Sequence, residues 1–335
     1  MLQTHAQSGD LAKPEIRADR RNERFQRVWK VVKTQSNILF ILPALIIFLV
    51  FGLYTVIYSF VLSFFQWNGF SGFSILPPRC VYPVCQFVGL YNFRLFLYQD
   101  PTMSAFFWQS IENNLIMAVV VTVGTIIIAL PLSLALNRLR KLSSLFRTVI
   151  LLPTVTAGIA VYYVWSFIYQ PDGLLNATLK ALGLGMLQAQ QGWLGDPARA
   201  LGALLVVMIW SGAPTSILLY LTGLQVIDVS LLEAARIDGA TPWQSLWHII
   251  WPLLRPTTVI IVILSINGTL QNYEQVYLMT NGGPAGHTSV VGLQIFNYGF
   301  GPQRQLGVAS AMSWILFLVV FIISILNLRF FRAKD

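Results

Sequence analysis

Ile38-Leu-Phe-Ile-Leu-Pro43-Ala-Leu-Ile-Ile-Phe-Leu-Val50-Phe-Gly-Leu-Tyr-Thr-Val-Ile-Tyr-Ser-Phe60-Val-Leu-Ser-Phe-Phe65 runs without a charged side chain. A helix rises about 1.5 Å per residue, so roughly 20 residues cross a hydrocarbon core of about 30 Å. The run is continuous rather than alternating, which excludes a barrel strand and leaves a helix as the spanning form that satisfies its own backbone. It is longer than a signal-peptide core and no small-residue cleavage site follows, so it is expected to be retained. Five further runs lie at Ile111–Leu136, Thr148–Tyr169, Ala200–Gln225, Thr257–Met279 and Val308–Leu328. Together they predict an all-α polytopic membrane protein with six transmembrane helices. Pro43, Pro131, Pro153 and Pro214 fall inside these runs, where neighbouring helices tolerate kinks around a cavity.

Composition agrees. Of 335 residues, 56% are hydrophobic and 10% charged, against about 25% charged in soluble proteins, and the mean hydropathy is +0.65. A soluble globule is excluded. The 24 Gly and 16 Pro are scattered and there are two Cys, which excludes collagen, disorder and a disulfide scaffold.

The net charge of +9 does not point to nucleic acid, because eight of the 22 basic residues precede position 34, ahead of the first span. Counting Lys and Arg by side, with both ends on one side, gives 17 there and five opposite (Arg79, Arg94, Lys180, Arg199, Arg304). That asymmetry predicts a multi-pass bacterial inner-membrane chain with both termini cytoplasmic. Residues 1–37 then form a basic cytoplasmic segment, disordered before about residue 15, and residues 38–335 the transmembrane domain. Phe25, Val28, Trp29 and Val32 fall at helical spacing with Arg21, Arg24 and Arg27 between them. This fits an amphipathic helix on inner-leaflet lipid, or one packed on neighbouring protein.

The outer loop 66–110 holds Cys80 and Cys85. A small disulfide on the oxidising side and two free thiols are the alternatives; no His stands near enough for a zinc site. No phosphate loop, nucleophile elbow or metal-spaced set occurs, and His5, His248 and His287 are far apart. Within the spans only Glu112 and Glu274 ionise, both near outer ends. An ion-coupled carrier usually holds charge or unwound backbone at mid-membrane, so energy is expected from a partner.

The inner loop 226–256 reads Ser230-Leu-Leu-Glu233-Ala234-Ala235-Arg-Ile-Asp238-Gly239-Ala240-Thr-Pro242-Trp and continues to Ile249-Ile-Trp251-Pro252-Leu-Leu-Arg-Pro256. Ser230 and Glu233 have capping-box spacing, Ala234 and Ala235 leave a flat face, Gly239 ends the helix and Pro242 opens a second. Two short surface helices are predicted; a plain hairpin with Glu233 serving only as a cap is the alternative.

This loop resembles the EAA motif of membrane subunits of binding-protein-dependent ABC importers, with Trp251 where Leu is usual. Phe87-Val-Gly-Leu-Tyr-Asn-Phe, Leu145-Phe-Arg-Thr with Pro153, Gln170-Pro-Asp-Gly-Leu-Leu-Asn and Gln275-Val-Tyr-Leu-Met-Thr-Asn-Gly-Gly-Pro284 are similar to the carbohydrate, maltose-type branch. The resemblance runs from about residue 37 to the C-terminus and fits poorly at 71–86. It implies a type I importer permease whose loop is a coupling helix, with Glu233, Ala234, Ala235, Asp238 and Gly239 docking on a cytoplasmic ATPase. It further implies a second homologous permease, two ATPase subunits that bind the ATP and Mg, and an extracytoplasmic binding protein delivering a sugar. No cofactor and no hydrolysis are expected in this chain.

Ser265, Thr269 and Asn272 recur at i, i+4, i+7, and Met208, Ser211, Gly212 and Thr215 at equivalent spacing beside Trp210 and Pro214. By the resemblance these faces line the sugar cavity, with Gly212 admitting ligand to the backbone and nearby rings stacking on the sugar; helix packing by small polar residues is the alternative. Asn267, Gln271 and Glu274 form a second polar face. Two other functions fit the chain less well: an ABC permease for a polyamine or glycerol-phosphate solute, and an ion-coupled carrier.

Overall fold

The computed structural model describes residues 41–70, 73–75, 78–81, 85–138, 143–156, 158–302 and 304–331. The proposed amphipathic helix over residues 21–32 lies outside them. The chain divides into two compact units, 1–59 and 60–335. In the first, the described residues open helix α1 (Ile41–Leu62), which contains a π-helical stretch at Phe48–Leu53. Its apolar side chains are exposed, Phe48 and Phe51 among them, as a surface that meets hydrocarbon requires. The Thr55 hydroxyl Oγ1 donates back to Phe51 O and Gly52 O at 2.7 and 2.8 Å.

Among the described residues the second unit is mainly helical, with two small antiparallel ladders. Strand β1 (Phe65–Trp67) pairs with β4 (Cys85–Phe87), and β2 (Ser74–Ile75) with β3 (Pro78–Arg79). A short helical stretch at Tyr91–Arg94 and Leu95–Gln99 leads into α2 (Pro101–Arg138). Then come α3 (Ser143–Val155), α4 (Gly158–Ile168), α5 (Leu174–Ala181), α6 (Ala200–Val226) and α7 (Val229–Ile237). The chain continues through α8 (Pro242–Leu253), α9 (Arg255–Gln271), α10 (Glu274–Met279), α11 (Val291–Phe300) and α12 (Leu306–Phe331).

Among the described residues four helices are long and apolar enough to cross a membrane (α1, α2, α6, α12), and up to six spans result if each of two bent pairs counts as one. The expected third span is the pair α3–α4, bent by 98°. Pro153 lies one turn before the bend, and the hydroxyls of Thr154 and Thr156 turn back onto Leu151 O and Leu152 O. The expected fifth span is shorter than its apolar run. Helix α9 stops at Gln271 and Asn272 is extended (φ −80°, ψ 105°) before α10 begins. The second span is longer than expected. Asp100 caps it, its Oδ1 accepting from Thr102 N and Met103 N at 2.9 and 3.0 Å, with Pro101 at the first turn. The 38 residues of α2 reach about 57 Å at ~1.5 Å each, so its first turns project beyond any bilayer core.

Three apolar clusters hold this unit. One joins α2, α6, α10 and α11 through Met117, Leu204, Val276 and Leu293. A second joins α2, α6 and α9 through Ala129, Tyr220, Leu254 and Ile261. The third packs Phe96 and Phe107 against Val291 and Met312. Close helix approach is set by glycine: a β-carbon at Gly124 would stand 2.5 Å from Ile209 Cδ1, and one at Gly223 2.6 Å from Thr257 Oγ1. Buried amides tie the remaining turns. Asn114 donates to Leu270 O (3.3 Å) and accepts from Val291 N (2.9 Å). Asn92 donates to both Ser63 O and Phe65 O at 2.9 Å. Cys80 and Cys85 are joined as a disulfide with Cα atoms 5.2 Å apart.

Candidate functional site

The loop between α6 and α9 folds as two short helices, but its caps fall on other residues than spacing suggested. Asp228, not Ser230, is the N-cap of α7: its carboxylate accepts from Ser230 N at 2.9 Å. Ser230 lies inside the first turn, so Glu233 has no reciprocal capping role. The Ser230 amide and hydroxyl hold the Asp228 carboxyl below the usual carboxylate range, because both bonds favour its charged form. The capping box belongs instead to α8, where Thr241 and Gln244 exchange bonds (Gln244 N to Thr241 Oγ1 3.3 Å, Thr241 N to Gln244 Oε1 2.8 Å) and Pro242 takes the first turn.

The end of α7 is a full Schellman closure. Gly239 N donates to Arg236 O (3.1 Å) and Ala240 N to Ala235 O (2.9 Å), and Gly239 has φ +80°. No atom lies within 4 Å of the β-carbon position at Gly239, so glycine is required there by backbone conformation rather than by space. Helix α7 buries none of its residues. Ile237 and Val226 are each 86% exposed, an apolar display that suits a partner surface. Glu233 and Arg236 line a recess of about 500 Å³ beneath the loop, with Leu134 and Asn137 of α2 opposite. Ala234 and Asp238 are exposed on the same short helix and Ala235 half-buried.

The second site is a cavity of about 270 Å³ between α2, α6 and α9. It is lined by Ser211, Gly212, Thr215, Ser265, Thr269 and Asn272 together. Asn272 reaches it from the extended turn after α9 rather than from the helix face that the i+7 spacing implied. None of the lining residues ionises, and none is aromatic. Trp210 faces away, against Trp165 at 5.6 Å, and lines a separate apolar recess with Pro214. Asn267 is likewise turned off, donating to Ile263 O (3.0 Å) and accepting from Ser324 Oγ (3.5 Å).

The hydroxyls of the cavity are not equivalent. Ser211 and Thr269 donate to carbonyls of their own helices, Met208 O at 3.1 Å and Ser265 O at 2.8 Å. Ser265 Oγ accepts from Thr122 Oγ1 at 3.0 Å, a helix-to-helix bond. Among the further lining residues that escaped the sequence are Thr125 on α2 and Gln275 on α10. They are 2% and 1% exposed, and Thr125 Oγ1 and Gln275 Oε1 are buried without a hydrogen-bond partner. The one available signal was a polar residue inside each apolar stretch; which helices face each other was needed to see their meaning.

A multi-span helical chain with a polar intramembrane cavity and an exposed double-helix loop is a membrane permease. The chain belongs to the family of binding-protein-dependent transport system inner membrane components, whose model matches residues 127–334. It is 33% identical over 300 residues (89% of this chain, 93% of the relative) to the lactose transport system permease protein LacF of Rhizobium radiobacter. It is 31% identical over 306 residues (91% and 96%) to the trehalose/maltose transport system permease protein MalF of Thermococcus litoralis. A probable ABC transporter permease, YurN of Bacillus subtilis, is 32% identical over 298 residues (88% and 95%). Among solved structures, a bacterial ABC transporter involved in import of the acidic polysaccharide alginate superposes with a TM-score of 0.71 at 22% identity, covering 91% of this chain and 98% of that one. That likeness establishes the fold.

Proposed function

We propose that this chain is the permease subunit of an ATP-driven importer that moves a neutral sugar or oligosaccharide delivered by an extracytoplasmic binding protein. The observation that carries it is the cavity: hydroxyl, amide and open glycine positions from α2, α6, α9, the turn after it and α10, with no charged group. A sugar leaving water loses hydrogen bonds that such a lining restores, whereas a polyamine or glycerol-phosphate would leave its charge unpaired against this wall. Relatives bearing the names of lactose and trehalose/maltose permeases support the same class.

In this scheme both termini are cytoplasmic, a second homologous permease completes the pore, and two ATPase subunits bind the ATP and Mg. Helix α7, through Glu233, Ala234, Ala235, Asp238 and Gly239, docks on the ATPase. Closure of the ATPase pair pushes α7 and α8 against the ends of α6 and α9, between which the cavity lies. The chain itself hydrolyses nothing. Purification of the tagged chain from its host in mild detergent, with mass spectrometry of what accompanies it, tests the assembly. A second permease and an ATPase at two copies are expected; recovery of the chain alone would overturn the scheme.

A further inference from the structure

Buried polar atoms without partners are few in folded proteins, because each forfeits its bond to water. Thr125 Oγ1 and Gln275 Oε1 are the two such side-chain atoms among the described residues, and both residues line one cavity. We propose that they are the hydrogen-bonding pair that reads the hydroxyls of the permeant, a role that rests on the sugar-permease function above. Their chemistry is specific. Gln275 Nε2 donates to Leu204 O at 3.4 Å, and only the NH₂ end of an amide bonds a carbonyl, so Oε1 is the free end and accepts. The permeant must therefore supply a donor at that point. Thr125 Oγ1 stands 3.7 Å from where a β-carbon on Gly212 would be; the missing side chain at Gly212 is the opening through which this hydroxyl meets ligand. The neighbouring Thr122 shows the contrast, since its hydroxyl is consumed by Ser265. A methyl ether, or a deoxy sugar lacking the matched hydroxyl, leaves Gln275 unpaired, and the site rejects it.

The test uses the complete importer, with its partner permease, ATPase and binding protein, in proteoliposomes. Maximal uptake rates are measured at saturating binding protein for radiolabelled lactose, maltose and trehalose and for their monodeoxy analogues. In the wild type, one deoxy position is expected to lower the rate roughly tenfold. Gln275→Leu should lower uptake of the parent sugar about as much and abolish that discrimination. Thr125→Val and Gly212→Ala should flatten a second position, each to the same extent and without adding to one another. The thermal midpoint of the purified Thr125→Val complex should be unchanged or raised, since valine removes an unpaired buried atom, whereas Gln275→Leu removes one unpaired atom and also the bond to Leu204 O. Gln275→Met serves if the leucine variant does not assemble. Variants that keep the wild-type deoxy profile would overturn the pair's role. A wild-type importer that carries none of these sugars would overturn the sugar function first, and the pair's role with it.

Discussion

Gly239→Val isolates the coupling loop from everything else in the chain. At φ +80° a residue with a side chain pays about 1–2 kcal/mol for the left-handed conformation, and a β-branched one sits at the upper end. No atom lies within 4 Å of the new β-carbon, so there is no steric term to add. The loop then either keeps its shape at that cost or turns differently, losing the bonds from Gly239 N to Arg236 O and from Ala240 N to Ala235 O. The ratio of the native end of α7 to alternative turns therefore falls about 5–30-fold. The assay is ATP hydrolysis by the assembled importer stimulated by sugar-loaded binding protein, alongside sugar uptake. Both should fall by that factor, while expression and the pattern of sugar preference remain. Gly239→Asn, which tolerates φ > 0, should retain most of the activity. Wild-type uptake in Gly239→Val, or equal loss in the asparagine variant, would refute the backbone argument.

Further predictions concern the rest of the frame. Glu233→Lys reverses the charge beside Arg236 in the recess under the loop; it should weaken ATPase association in a pull-down while leaving the sugar-preference profile intact. Asp228 has a depressed folded-state pKa, so its stabilisation of α7 is present above the unfolded carboxylate range and lost as pH falls through the lower folded value. Amide exchange at Val229–Leu231 should accelerate, beyond the intrinsic rate, only under acid, and Asp228→Asn should show no such acid-dependent increase. Asn92→Leu removes the donor shared by Ser63 O and Phe65 O, leaving the buried Ser63 acceptor without it at about 1–3 kcal/mol and the part-buried Phe65 acceptor at less; the thermal midpoint should drop. Cys80 and Cys85 should resist alkylation until reduced, as read by intact mass.

Hydropathy located the membrane helices because a bilayer makes one demand on every residue of a span. It placed α6 and α12 within a few residues and the C-terminal end of α1 within three. It failed where the helix outran the lipid or stopped inside it. Residues 101–110 are too polar and aromatic to read as membrane, yet α2 begins there; the signal was the cap of Asp100 with Pro101, not the apolar run. Asn272 breaks α9 inside the polar stretch Gln271-Asn-Tyr-Glu-Gln275, which the longer apolar run had been read through. The loop was legible in its two-helix form and at Gly239, where one backbone angle fixes the residue. Its caps were not, since Ser230 with Glu233 and Thr241 with Gln244 have the same spacing, and only the start of the helix separates them. Period put Ser211, Gly212 and Thr215 on one face of α6 and Ser265 and Thr269 on one face of α9, while the cavity reading came from the family resemblance and Asn272 reaches the cavity from beyond the helix. Thr125 and Gln275 gain meaning from α2 and α10 packing across from them, a tertiary fact. The expected stacking ring was misplaced for the same reason: Trp210 shares α6 with the cavity residues but faces Trp165.

The central claim is that ATP, through this loop, drives a neutral sugar through this cavity. The most direct measurement is uptake of labelled lactose, maltose or trehalose into proteoliposomes holding the full complex, with ATP inside or a cation gradient imposed. Uptake that requires ATP hydrolysis and binding protein, and ignores the gradient, is the expected result. Uptake driven by a sodium or proton gradient without ATP would contradict the account.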